Sequence, residues 1–383
     1  MYATVTRPGP WTHRHITAGG TRFHVALAGP EAPLAAVARA AVTPATAGHA
    51  NTPDLADDST DSARPLVLLL HGFPECWWTW RHVMPALADA GHRVAALDLR
   101  GFGGSDRPPS GYDLVTLARD VTAVVRALGH DHAVVVGAGL GGQVGWTLAN
   151  LEPELTAGLV PIGAPHPLAL RSLHMRSIMG STVQHLFFQV PMLPERSLRT
   201  TAGVDRLLRS WAAPATRPLV TEGAEYYAEL MARPGAAHSA LESMRRSTLS
   251  RAEVAVLTRP TTVPVLSVQG EFDPVQPAKA HARDTHHVAH PLQQVTIHGA
   301  GHFPQEEAPE ALIDVLLPFL TELTQPPRSV QATAPTPTQR GQAARRSRRA
   351  SLIHRPVGTA RRRSDGRRRK QGRGPGTPSA RAQ

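Results

Sequence analysis

Six short runs of apolar residues without polar alternation constrain this chain most: PLVLLL (Pro65–Leu70), VAALDL (Val94–Leu99), AVVV (Ala133–Val136), AGLVPI (Ala157–Ile162), VPVLSV (Val263–Val268) and QQVTI (Gln293–Ile297). Strands that are apolar on both sides belong to a parallel sheet covered on both faces. Helical patterns lie between them. Leu114, Leu117, Val121, Val124 and Leu128 fall three and four apart, with Asp113 placed to cap the helix and Gly129 to end it. Such alternation predicts an α/β fold, with sites at the carboxyl ends of the strands.

The stretch VVVGAGLGGQVGW (Val134–Trp146) admits two readings. Gly137, Gly139 and Gly142 spell G-x-G-x-x-G after a strand, a pattern that can seat a dinucleotide pyrophosphate. That fold wants an acid about 20 residues on, at the end of the next strand. Here that strand ends in PIGAP, and two βα units precede the motif where the fingerprint normally opens the domain. The same letters fit the strand–turn–helix elbow of a hydrolase, with glycine at the nucleophile position. An HGFPE loop (His71–Glu75) follows the first apolar run, Asp273 follows a late one, and His302 stands in GAGHFPQEE after the last. Elbow, acid, histidine is the α/β-hydrolase order.

HGFPECWWTWR, LDLRGFGGSDRPPSGYDLVTLARDV and GAPHP resemble the epoxide hydrolase-like branch of the α/β-hydrolase superfamily, over about residues 11–323. The resemblance implies a mostly parallel sheet with helices on both faces and an inserted helical lid. It assigns residues 1–29 to N-terminal strands, 65–166 and 257–324 to the two parts of the core, and 167–256 to the lid. Residues 30–64 are then a low-complexity insert and 325–383 a disordered Arg-rich tail. It implies His302 as base, Asp273 as its orienting carboxylate, and the backbone N–H groups of Phe73 and Leu140 as an oxyanion hole. Gly139 stands where the family carries Asp or Ser, so no covalent ester can form there. Of the family's lid tyrosines, one position reads Phe in LFFQ (Leu186–Gln189) and the other falls at Ser243 or Met244 in LESMRR, with Tyr226 and Tyr227 as nearby substitutes. Trp77 and Phe187 are the candidate pocket residues. Glu75, Asp98, Arg100 and Asp106 are expected as scaffold, and Cys76 as a buried bystander.

The expected function is a nucleophile-free hydrolase of a small apolar carbonyl compound. The alternative is a ligand-binding protein that has lost catalysis, in which glycine merely relieves a strained turn. No cofactor or metal is implied, and the histidines of HARDTHHVAH (His281, His286, His287, His290) are expected on a solvated helix face.

The net charge of +11 is a local property. Residues 325–383 hold 16 Lys and Arg against one acid, Asp365, leaving 25 basic and 29 acidic residues elsewhere. The tail is too poor in large apolar residues to order itself, and it could attract nucleic acid or an anionic surface without sequence specificity. A single cysteine excludes an intramolecular disulfide, no apolar run approaches a membrane span, and MYATVTRPGPWTHRHIT lacks a leader-like apolar region. A cytoplasmic location is expected.

Overall fold

The computed structural model describes residues 5–30, 64–171, 186–246 and 248–324. The low-complexity insert, part of the lid and the Arg-rich tail lie outside them.

Eight strands form one sheet in the order β1-β2-β4-β3-β5-β6-β7-β8. β1 (Thr12–Ala18) and β2 (Thr21–Ala28) form a hairpin through Gly19 and Gly20, and β2 is also antiparallel to β4 (Val94–Leu97). β3 (Leu66–Leu70), β5 (Ala133–Ala138), β6 (Thr156–Ile162), β7 (Leu266–Gly270) and β8 (Gln293–Ile297) continue parallel to β4. β3, β4 and β5 are buried at every residue, as their unalternated sequences require.

One strand starts later than its sequence suggests. VPVLSV is not extended throughout; the strand opens at Leu266, and Pro264 contributes only its carbonyl, which accepts from Leu159 N at 3.0 Å. Pro161 has a related effect. Leu159 and Gly163 both donate toward the β7 side, and Pro161 between them has no N–H to give. The β6–β7 ladder is correspondingly thin, with Ile162 opposite Val268.

Helices α1 (Met84–Asp89), α2 (Leu114–Ala127) and α3 (Leu140–Leu151) link the first strands. Asp113 caps α2, its side chain accepting from Thr116 N, and Gly129 at φ +83° ends it. After β6 come α4 (Pro167–Arg171), α5 (Leu193–Leu198), α6 (Thr201–Trp211), α7 (Arg217–Thr221), α8 (Ala224–Ala232), α9 (Ala236–Arg245) and α10 (Arg251–Leu257). α11 (Ala278–His281), α12 (Pro304–Glu307) and α13 (Pro309–Thr324) complete the order. A Cβ on Gly158 would strike Leu323 of α13 and touch Phe319 beside it, whereas Leu159 lies against Gly145 of α3. Neighbouring strand residues point to opposite faces, so α3 and α13 cover opposite sides of the sheet.

Arg100 makes a bidentate pair with Asp120 of α2 at 2.6 and 2.7 Å, fixing the turn after β4. The HARDTHHVAH stretch departs from the solvated face expected for it. It folds as the short α11 and a single 3₁₀ turn (Asp284–His286); His281 is buried against Ser267, and His287 stacks on His166 with centroids 4.0 Å apart.

Candidate active site

β5 runs into Gly139, at φ +49° and ψ −112°, and α3 begins at the next residue. The glycines around this turn are there for space. A Cβ on Gly137 would lie 2.4 Å from the Gly141 carbonyl carbon, one on Gly141 2.3 Å from Leu70 O, and one on Gly142 2.4 Å from Ala164 Cβ. None would fit without moving backbone or core, so the apparent dinucleotide fingerprint is the packing requirement of a tight elbow. Gly139 differs. A Cβ there would meet only His302 Nε2 at 3.4 Å and Gly72 Cα at 3.6 Å, both ordinary contacts. The elbow has room for a side chain and carries none.

His302 lies in the loop between β8 and α12. Its Nδ1 is 2.9 Å from Asp273 Oδ2, and Asp273 Oδ1 accepts from the backbone N–H groups of Val275 and Gln276 at 2.8 and 3.0 Å. The carboxylate is thereby fixed, and it leaves Nε2 of the histidine facing the vacancy at Gly139. Burial works to lower the His302 pKa; the charge and hydrogen bond of Asp273 outweigh it, with Glu75 and Glu307 adding, and hold the imidazole above its ordinary value. Gly163, at φ +54°, lets the pair close onto the end of β6, since a Cβ there would press on Asp273 Oδ2 and His302 Nδ1 at 3.2 Å.

Phe73 lies in the loop after β3, and Leu140 opens α3 directly after the elbow. Gly139 N and Gly141 N are used internally, donating to Ile162 O and His71 O. The N–H groups of Phe73 and Leu140 have no protein acceptor among the described residues. The arrangement therefore sets an imidazole oriented by Asp273 beside an elbow residue without a side chain.

Two carboxyl groups shape this region: Glu307, which escaped the sequence reading, and Glu75, which was expected as scaffold. Glu307, almost fully buried, accepts from Gly301 N and Ala213 N at 2.8 Å and from Phe303 N at 2.9 Å, and also from the Thr216 hydroxyl. It locks the His302 loop to the turn after α6. Glu75 is held through Oε1 by Thr79 and Gln305, while its buried Oε2 has no hydrogen-bond partner among the described residues and lies 3.1 Å from where a Gly72 Cβ would stand. Burial, with the neighbouring Glu306, pushes the Glu75 carboxyl up to about 8. The only sequence signals for these roles were the acids of HGFPE and FPQEE, which carry no indication of their partners.

The lid covers the site with aromatic side chains. Phe188 is buried against Phe73 (centroids 5.3 Å), and Trp211 stands edge-on to His302 at 5.3 Å. Arg245 fixes this wall by donating to Phe188 O at 3.0 Å and to Glu195 at 2.7 Å. Three expectations are corrected. Phe187 is 39% exposed, and its neighbour Phe188 is the residue that meets Phe73. Trp77 packs against Trp11, His13, His24 and Trp78 and donates to Val5 O at 3.1 Å, so it faces the N-terminal hairpin. Tyr226 and Tyr227 do not replace the absent lid tyrosines: their hydroxyls are spent on Val5 O and Glu306. Cys76 is buried, and burial raises its thiol. Among the described residues no group of three or more His, Cys, Asp or Glu side chains is placed to hold a metal ion, and no helix is long and apolar enough to cross a membrane.

Comparison with known proteins agrees with this fold. The alpha/beta hydrolase fold family model matches residues 65–309. Epoxide hydrolase 3 of Xenopus tropicalis is 31% identical over 273 residues, 69% of this chain and 73% of the relative. An AB hydrolase superfamily protein of Bacillus subtilis (strain 168) is 31% identical over 263 residues, covering 67% and 90%. Among solved structures, Cfl2 wild-type from Burkholderia cenocepacia matches with a TM-score of 0.65 at 27% identity, over 81% of this chain and 96% of that one. The epoxide hydrolase CorEH matches at 0.61 and 26% identity, over 82% and 99%. On this sheet order, elbow and sequence likeness, the chain belongs to the α/β-hydrolase fold family, in its epoxide hydrolase-like branch.

Proposed function

We propose that the protein hydrolyses a small, apolar, carbonyl-bearing molecule by direct attack of water, without a covalent intermediate. The observation that carries the proposal is the 3.4 Å between His302 Nε2 and the point where a Gly139 side chain would start. A water in that space lies within reach of the base. His302 takes its proton, Asp273 stabilises the imidazolium, and the hydroxide adds to the carbonyl carbon as the N–H groups of Phe73 and Leu140 receive the oxyanion. Collapse of the tetrahedral intermediate breaks the bond to the leaving group, which takes the proton back from His302. General base catalysis supplies roughly 10²–10⁴-fold and an oxyanion donor roughly 10²–10³-fold, enough for a slow enzyme. The Phe73, Phe188 and Trp211 wall suits an apolar substrate.

A second reading is a ligand-binding protein without turnover. It is favoured by the positive φ of Gly139, a conformation that glycine adopts without strain. Turnover of esters, lactones and epoxides by the purified chain, beside His302→Ala, separates the two. Activity lost in the variant supports the catalytic reading; no turnover, or equal turnover, sinks it. The lone buried cysteine supports the proposal of a cytoplasmic location, and the Arg-rich tail that of a weak, salt-sensitive attraction to polyanions.

A further inference from the structure

A chain of hydrogen bonds runs from the core to the N-terminal segment on the far side of Trp77. His24 Nδ1 lies 2.7 Å from Asp98 Oδ2, His24 Nε2 lies 3.0 Å from His13 Nδ1, and His13 Nε2 lies 3.0 Å from Arg7 O. Both ends of this chain are acceptors. Asp98 already accepts from Trp77 N and Gly104 N at 2.8 Å, and the Arg7 carbonyl also takes the Trp11 indole N–H at 2.8 Å. The outer nitrogens, His24 Nδ1 and His13 Nε2, must therefore each carry a hydrogen.

The count of protons then fixes the charge. A neutral imidazole has one N–H. If both rings are neutral, their hydrogens are used at the two ends, and two lone pairs face each other across the 3.0 Å between the rings. If both rings are cationic, two N–H groups collide there. Only one additional proton, shared by the pair, completes all three hydrogen bonds. Asp98 is fully buried and supplies the matching negative charge.

What this chain holds is a strap. Val5 O accepts from the Trp77 indole of the core at 3.1 Å and from the Tyr226 hydroxyl of lid helix α8 at 2.8 Å. The Arg7 guanidinium lies over the rings of Trp78 and Tyr226, at 5.1 and 4.2 Å. Residues 5–11 thus join the hairpin, the core and the lid, and Arg7 is the strap's link to the histidines.

We propose that a single proton shared by His13 and His24 fastens the N-terminal strap, and through it lid helix α8, to the core. Asp98 and His71 face the pair from the core, His15 and Arg22 from the hairpin, Asp106 from the loop after β4, and Arg7 from the strap. Burial lowers the His13 pKa, the Arg7 carbonyl pulling the other way. Burial would raise Asp98, but the hydrogen bond and charge of His24 hold it below its ordinary value. Protonation therefore completes the hydrogen-bond chain at low pH, and loss of the proton as pH rises leaves two lone pairs facing each other across the rings. The strap loosens as that proton leaves.

The test is NMR of the imidazole nitrogens in the full chain labelled at histidine, assigned with His13→Leu and read alongside amide exchange corrected for intrinsic rates. At pH 7.5 the two rings together should carry three hydrogens, one on His24 Nδ1, one on His13 Nε2 and one between the rings. As the pair loses that proton at higher pH, exchange in residues 5–11 and in α8 should rise by about tenfold, the factor that corresponds to one lost hydrogen bond. His13→Leu should remove this pH dependence. Two neutral rings at pH 7.5 overturn the proposal, as does exchange that stays constant while the proton is lost. If His13→Leu does not fold, His24→Asn provides the assignment and the wild-type titration decides.

Discussion

The backbone carbonyl of Trp211 accepts from His302 N–H at 3.0 Å, so the last residue of lid helix α6 holds the loop that carries the candidate base. Glu307 strengthens the same junction by bridging Gly301 N and Phe303 N, on either side of His302, to Ala213 and Thr216. Glu307→Ala leaves several buried donors without an acceptor, each costing about 1–3 kcal/mol. Urea unfolding should show a loss on the order of 3 kcal/mol, and Glu307→Gln a smaller one. A variant as stable as wild type would mean that the junction contributes little.

At Gly139 the space and the backbone make opposite demands. A Cβ meets nothing closer than 3.4 Å, but φ is positive. Gly139→Ser should therefore fold, with a stability loss of about 1–2 kcal/mol from the left-handed backbone. It should also gain a covalent acyl adduct with an activated ester, visible as a mass increment. A folded variant that never acylates would show that the elbow no longer presents its side chain to the oxyanion donors.

The proposed role of His302 as base requires the neutral imidazole, and Asp273 raises its pKa against burial. The rate should climb with pH through an apparent value above the usual 6.5 and then level. Stability has the opposite sign. The His302–Asp273 pair contributes fully below the unfolded value, and that contribution fades as pH rises through the folded one. An alkaline rise in rate that survives Asp273→Asn unshifted would remove Asp273 as the cause.

Glu75 makes a separate prediction. Its carboxyl is pushed up to about 8, so the folded state keeps a proton that the unfolded chain releases near 4.5. Stability should then fall as pH rises between those values. Glu75→Gln keeps the shape without the charge and should flatten that fall, making the variant the more stable protein at pH 9. Parallel stability–pH curves for the two proteins would contradict an un-ionised Glu75.

Arg100 and Asp120 are both largely buried and paired in two places. Removing one partner strands the other, so Arg100→Ala should cost roughly 3–5 kcal/mol. The double variant Arg100→Leu with Asp120→Leu should recover much of it. Denaturant midpoints of the four proteins in the cycle decide the point.

The sequence by itself determined the elements whose chemistry is local. An apolar run such as LVLLL can only be a strand buried on both faces, and Asp113 with Gly129 marks the ends of α2. The order of elbow, acid and histidine foretold that Asp273 and His302 would meet, because the carboxyl ends of parallel strands share one edge of the sheet. Only the tertiary structure decided which of two adjacent aromatics faces the site. Phe188 does and Phe187 does not, a choice made by lid packing and the Arg245 contact to the Phe188 carbonyl. It likewise turned Trp77 toward the hairpin, gave the hydroxyls of Tyr226 and Tyr227 to Val5 and Glu306, and buried His281. Each of these depends on partners tens to hundreds of residues away, and a side chain's periodicity or type carries no record of what it will be packed against.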